Sequence, residues 1–297
     1  MFIRIQPTYK LGAIVLLTLA AAVSASAQYN KPPDRPAKAG NVILTTQLVK
    51  TGLYVISGGG GNSLLRMTAN GSILVDGKLP GSYDALVARV RKLSDQPIRA
   101  LIVTDYHESH TGNNAKFQAI GARIIAQENA KPKLPVYDPP AGKVAPSVIT
   151  YDHDYTLHLG GVDVQLMHFG NAHTNGDTVV YFPYLKVVAV GDLFAPTPDP
   201  DFSAGGSLVE WGPVLAQILK LDFDVVVPSM GPPATRADLE AYKTKIDTLV
   251  SRATALVKNG VPGNQLMAQL KTDDLGWHFN FTGDQLDHFY AELSRTK

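Results

Sequence analysis

An αββα sandwich, two mixed β-sheets face to face with helices on their outer sides, is the fold class this sequence predicts. Short β-rich runs fall in two blocks, and each block is followed by strand and helix alternation. Four polar segments, residues 105–110, 168–173, 191–192 and 229–230, stand directly after apolar strands. In such a sandwich those segments share one edge, which makes them a single candidate constellation.

The N-terminus stands apart from the fold. Arg4 and Lys10 precede the run LGAIVLLTLAAAV, and Ala25-Ser26-Ala27 fits an A-x-A cleavage pattern. Residues 1–27 therefore read as a secretory signal peptide, its apolar core shorter than the roughly 20 residues of a membrane span. The mature chain is expected in the periplasm or outside the cell, with no span of its own. Residues 28–40 are a Pro-rich, charged linker. Residues 41–297 show no fixed-period repeat and are expected to form one domain.

In the first block, GLYVIS, NSLLRMT and GSILVDG read as antiparallel strands, with TANG as a hairpin turn. SYDALVARVRKLS places Leu86, Val87, Val90 and Leu93 on one helical face, and IRALIVT is a buried strand. A helix beginning near Asn113 and the strand ARIIAQ repeat the alternation. The Pro-rich residues 131–147 carry no periodicity and read as an ordered surface loop.

In the second block, YTLHL and VDVQLMHF flank Gly160-Gly161 as a hairpin, Leu157 and Leu159 facing one side and His158 the other. DTVVYFP and KVVAVGD form a further pair. A helix around SLVEWGPVLAQILKL and the buried strand DVVVPS follow. In the next long helix Leu239, Tyr242, Ile246, Leu249, Ala253 and Leu256 keep helical spacing, and FTGDQLDHFYAELSR is a terminal amphipathic helix.

Composition limits the chemistry. Cysteine is absent, so any metal must be held by His, Asp or Glu. Lys+Arg 27 against Asp+Glu 26, evenly interspersed, offers no basic stripe for nucleic acid. In TDYHESH, His107 and His110 stand three residues apart among acids, as ligands, general bases or a polar loop. His173 lies in a turn and Asp192 follows VVAV. His168 reads as a packing or hydrogen-bonding residue, Met230 as packing, and Trp211 and Trp277 as core or pocket wall. The glycines at 58–61 lie between strands and lack a following Lys-Ser/Thr, so they are no phosphate loop.

TDYHESH, NAHTNGDTVVYFP, AVGDLF and VVVPSMGPPATRADLEAY, in that order, resemble the metallo-β-lactamase superfamily across nearly the whole mature chain. The resemblance implies the metallo-β-lactamase fold and a flap at residues 58–61 over the site. It also shows where the ligand set changes. In the family's H-x-H-x-D-H, the first His falls on Asp105, the second on His107, the Asp on Ser109 and the third His on His110. His173 and Asp192 are kept, and the His of PGHGP is Met230.

By this resemblance one ion, zinc or alternatively iron or manganese, is held by Asp105, His107 and His173 with Asp192 beside it. Asp105 reaches about 1 to 2 Å less far than an imidazole, so a backbone adjustment or a bridging water is expected. Of the second site only His110 and Asp192 remain, because a serine hydroxyl and a thioether are poor zinc ligands. The implied activity is hydrolysis of a small-molecule ester, lactone or amide by metal-bound hydroxide, with His110 as base and Asp192 in support. The alternatives are a catalytically impaired pseudoenzyme that binds a small molecule or partner in the same pocket, and a mono-iron sulfur oxygenase.

Overall fold

The computed structural model describes residues 42–135, 138, 147–279 and 281–295. Residues 1–27 and 28–40, expected as signal peptide and linker, and much of the Pro-rich segment 131–147 lie outside the described residues. The first sheet opens as an antiparallel meander of β1 (Thr45–Lys50), β2 (Leu53–Ser57), β3 (Ser63–Thr68) and β4 (Gly71–Val75). It continues through α1 (Tyr83–Arg91), β5 (Ile98–Ile102), α2 (Glu108–Thr111), α3 (Asn114–Ala119), β6 (Arg123–Gln127) and β7 (Val148–Tyr151). Strands β4 to β7 are parallel, so this seven-stranded sheet is mixed and runs in sequence order.

The second sheet contains β8 (Asp154–Leu159), β9 (Val162–Met167), β10 (Val179–Phe182) and β11 (Val187–Ala189). After α4 (Leu208–Ile218) come β12 (Val225–Val227), parallel to β11, and β13 (Ala234–Thr235). Helices α5 (Arg236–Lys258), α6 (Gly263–Gln269) and α7 (Asp284–Arg295) complete the chain's order. Strand order is β13-β12-β11-β10-β9-β8.

Side-chain alternation divides the apolar residues into three cores. Ile73 and Val75 of β4 meet Val164, Leu166, Val180 and Phe182 of the second sheet, while Leu74 packs with Leu86, Val90 and Phe117 of α1 and α3. Trp211 and Leu215 of α4 pack with Leu239, Ile246 and Leu249 of α5 and Phe289 of α7 on the other outer face. Burial on both faces of β4 is why Ile73, Leu74 and Val75 are consecutive apolar residues. The layers are those of the predicted sandwich.

Most predicted elements stand within two or three residues of their expected ends. The edge strands β1 and β7 were not foreseen, because β1 is mostly exposed or half-exposed and β7 has only Tyr151 buried. The short α2 lies inside TDYHESH itself, so His110 sits on a helical turn. Gly160 and Gly161, at φ of 53° and 79°, make the two-residue turn that joins paired Leu159 and Val162. Thr235 and Asp238 form a reciprocal capping box that starts α5. Among the described residues no helix is long and apolar enough to cross a membrane.

This architecture gathers the polar segments at the strand ends. Asp76 and Asp105 follow the parallel neighbours β4 and β5, while Asp192 and Ser229 follow the parallel neighbours β11 and β12. Gly191 sets the exit from β11 at a φ of 51°, and a Cβ there would lie 2.6 Å from Thr104 Oγ1. Gly191→Ala is expected to destabilise the fold by about 1–3 kcal/mol through this backbone strain and contact. Urea unfolding measures it, and an unchanged midpoint would contradict this role for Gly191.

Candidate metal centre

Asp76 is the fixed point of the first sheet's contribution. Its Oδ1 accepts from Thr104 N at 2.9 Å and its Oδ2 from Thr104 Oγ1 at 2.8 Å, while Oδ2 also lies 2.9 Å from His110 Nδ1. His110 Nδ1–H donates to this carboxylate, so Nε2 turns inward, 3.3 Å from Asp192 Oδ2 and 3.4 Å from Asp105 Oδ2. His110 is fully buried.

His107 and His173 follow the same rule. His173 Nδ1–H donates to the Asp199 carbonyl at 2.6 Å, which leaves Nε2 facing Asp192 Oδ2 at 3.3 Å. His107 Nε2–H faces Asp201 Oδ2 at 3.3 Å, and its Nδ1 lies 3.0 Å from Asp105 Oδ1. His107 Nδ1 and His173 Nε2 then meet at 3.1 Å. Two lone pairs cannot face each other that closely without a proton or a cation between them.

Asp105, His107, His173 and Asp192 each offer one ligand atom, and all four atoms lie within 4.8 Å of one another. Zn–N and Zn–O bonds of about 2.0–2.1 Å give a tetrahedral edge of about 3.3 Å, close to the separations of 3.0, 3.1 and 3.3 Å found here. The donors fit one divalent ion. Asp105 reaches the cluster without a bridging group, so its shorter side chain is accommodated by the strand end that carries it. Its Oδ1 also accepts from His107 N at 2.8 Å.

The second set of positions does not fit an ion. His110 stands outside the four-residue group, Ser109 is only half-buried, and Met230, expected to pack, is 38 % exposed. Glu108, the first residue of α2, is exposed. Residues 58–61, expected as a flexible flap, are instead held by Leu79 N to Gly59 O at 3.0 Å and Gly61 N to Ser109 O at 3.2 Å.

Several residues of the site escaped the sequence reading. Asp76 carried the same signal as the others, an acid directly after an apolar strand. Asp201 carried none, because it is one of several acids in an irregular loop. It accepts from Ser203 Oγ at 2.6 Å, Ala204 N at 3.2 Å and the Tyr106 hydroxyl, whose ring stacks on His107 at 4.3 Å. Lys78, fully buried beside Asp76 in the chain, was also missed. Of the other histidines, His168 Nδ1 meets the Asp177 carbonyl at 2.8 Å, as a hydrogen-bonding residue should. His158 is exposed and pairs with Asp163 at 2.6 Å.

The carboxylates dominate the local field. Burial works against a charged imidazole, but Asp105 and Asp201 more than reverse it and hold His107 at about 9. Burial is likewise overcome at His173, where Asp192 raises the value to about 10. Burial would raise Asp192, but His110 and His173 pull it well below the usual carboxylate range. Burial pushes Asp177, which accepts from Thr174, up to about 7, and draws Lys78 down to about 7. The open side is at His107 and Asp192, 30 % and 22 % exposed.

Residues 56–230 match the metallo-beta-lactamase superfamily. The chain is 24 % identical over 229 residues to the 2,4-dinitroanisole O-demethylase subunit alpha of Nocardioides sp. (strain JS1661), covering 73 % of this chain and 67 % of that one. It is 26 % identical over 177 residues to a type 2 metallo-beta-lactamase of Bacillus cereus, covering 57 % of this chain and 66 % of that one. A metallo-beta-lactamase from Pontibacter korlensis superposes with a TM-score of 0.59 at 19 % identity, over 69 % of this chain and 99 % of the other. FIM-1 of Pseudomonas aeruginosa in its mono-zinc form gives 0.58 at 19 % identity, over 71 % and 98 %. The match over residues 56–230, more than half of the chain, places it in the metallo-beta-lactamase superfamily.

The charge pattern predicts how a metal enters. In the metal-free protein the raised values of His107 and His173 favour their protonated forms, whose stabilising contribution is full below about 6.5 and lost as pH rises through about 9 and 10. A metal needs both imidazoles neutral. Zinc uptake near pH 7.5 is therefore expected to release about two protons and to strengthen as pH rises toward 9. Calorimetry in buffers of different ionisation enthalpy reads the proton count; no release, or weaker binding at higher pH, contradicts the assignment.

Proposed function

We propose that this protein is an exported hydrolase working with one metal ion, which cleaves an ester, lactone or amide bond of a small molecule. The observation that supports it most is the convergence of His107 Nδ1 and His173 Nε2 with Asp105 and Asp192. A divalent ion there, zinc or, given two carboxylate donors, iron or manganese, supplies Lewis-acid polarisation and acidified water. The signal-peptide reading of residues 1–27 supports export to the periplasm or beyond.

The chain's own residues supply orientation and proton transfer. Ser109 offers no carboxylate to take a proton, so that role passes to His110, whose Nε2 lies beside Asp192 while Asp76 holds its Nδ1. Against its burial, Asp105, Asp76 and Asp192 hold this imidazole well above its ordinary range; with that charge offset by a cation bound at Asp105 and Asp192, His110 is free to accept a proton. Asp192, 3.3 Å from both His110 and His173, links the proton acceptor to the metal ligands. Substrate approaches from the side where His107 and Asp192 are partly exposed. Binding without turnover is the second reading, favoured by Ser109 and by the exposure of Met230. A mono-iron sulfur oxygenase is a third, resting on the two-imidazole and carboxylate donors.

Protein purified without chelator is expected to carry about one ion per chain. It is tested against nitrophenyl esters, lactones and, following the names of the relatives, a β-lactam and 2,4-dinitroanisole. Turnover of at least one, abolished by chelator and restored by metal, supports the hydrolase. Turnover of none by the loaded protein favours the binding reading, and metal-dependent oxygen uptake favours the oxygenase. Fewer than about 0.1 ions per chain, with no gain on adding zinc, manganese or iron, contradicts the metal reading.

Asp201→Asn removes the charge facing His107 Nε2 and is expected to weaken metal affinity about 10–100-fold with the fold intact. Competition against a chromophoric chelator measures this, and unchanged affinity would remove Asp201 from the site.

A further inference from the structure

The half of the pocket around Ser109, His110 and Met230 is cross-linked by the protein itself. Gly61 N donates to Ser109 O at 3.2 Å, and Asn62 N donates to Ser229 O at 2.6 Å. Asn62 Nδ2 reaches the carbonyls of Pro228 at 2.9 Å and Gly231 at 2.8 Å, so it spans Met230. Residues 61 and 62 therefore join the loop after β5 to the loop after β12. These two loops carry the positions whose side chains would have to hold a second ion.

Lys78 tightens this junction. Its Nζ donates to Ile56 O and Gly61 O, both at 2.8 Å, from a fully buried side chain. The Gly61 peptide is thus tied at its oxygen by Lys78 and at its nitrogen by Ser109. It lies hard against His110: a Cβ on Gly61 would stand 2.8 Å from His110 Cε1, the carbon next to Nε2. Both Lys78 bonds run to backbone carbonyls, so the amine holds the Gly61 segment in place as a hydrogen-bond donor.

Resting on the one-ion reading above, we propose that Lys78, acting through Gly61 and Asn62, takes the structural place of a second metal ion. By holding Gly61 it fixes the residue 61–62 bridge between the two loops, and that bridge closes the Ser109–Met230 half to a further ion. Lys78 is on this view a positioning residue. The single occupancy of the site then has two causes, missing ligands and a space bridged by the protein's own hydrogen bonds. Restoring the ligands alone does not restore the ion.

The test counts ions per chain by elemental analysis and intact mass after zinc loading and dialysis. The full chain is compared as Ser109→Asp/Met230→His with Lys78 present and with Lys78→Met added, folding being checked by circular dichroism. With Lys78 in place the restored pair is expected to gain no further ion. With Lys78→Met it gains one, bound at least about tenfold more tightly. Lys78→Gln, neutral but able to donate a hydrogen bond, replaces Lys78→Met if that variant does not fold. A further ion in the restored pair while Lys78 is present overturns the proposal, as does no gain when Lys78 is removed. The increment is read between variants, so it is independent of first-site occupancy. A wild type that binds no metal contradicts the preceding section instead.

Discussion

The fold's chemistry depends on the 3.1 Å approach of His107 Nδ1 to His173 Nε2. Each imidazole is committed by its outer nitrogen, His107 to Asp201 and His173 to the Asp199 carbonyl, so neither ring can turn to relieve the contact. An inward-facing pair of this kind is stable only with positive charge between the nitrogens, either a proton or a metal. Asp105 and Asp192 supply the balancing negative charge from the two sheets. The site is therefore a product of the sandwich: Asp105 comes from the end of β5 and Asp192 from the end of β11.

The two halves of the pocket are differently made. One is an open, carboxylate-rich pair of imidazoles that suits a divalent ion. The other is closed by backbone: Asp76 fixes His110, and residues 61–62 bind the loops beside it. Replacing a His by Asp105 places an anionic oxygen in the first half, which favours harder ions than an all-imidazole set would. Asp192 faces both halves, its Oδ2 lying 3.3 Å from His110 Nε2 and 3.3 Å from His173 Nε2.

Much of this was legible in the sequence. Alternation in YTLHL and the apolar run Ile73-Leu74-Val75 marked the sheets, because side-chain period and two-sided burial leave direct marks on composition. His107, His173 and Asp192 were legible within the polar segments that follow such runs, and as ligands through the family motifs they match. Edge strand β1 was not, since it contributes little to the core. Nor were Asp201 and Lys78, which act through contacts made only when distant segments meet: Asp201 lies 94 residues from His107 in sequence, and Lys78 closes on Gly61 across a hairpin. Ser109 and Met230 were visible as changes, but only the structure shows backbone filling the space between their loops.

X-ray absorption at the metal edge of the zinc-loaded protein tests most directly the claim of one ion between two imidazoles and two carboxylates. The expected result is a shell of nitrogen and oxygen at about 2.0–2.1 Å, with outer-ring scattering for two imidazoles. A zinc–zinc vector near about 3.5–4 Å, or scattering that requires three imidazoles, would contradict it.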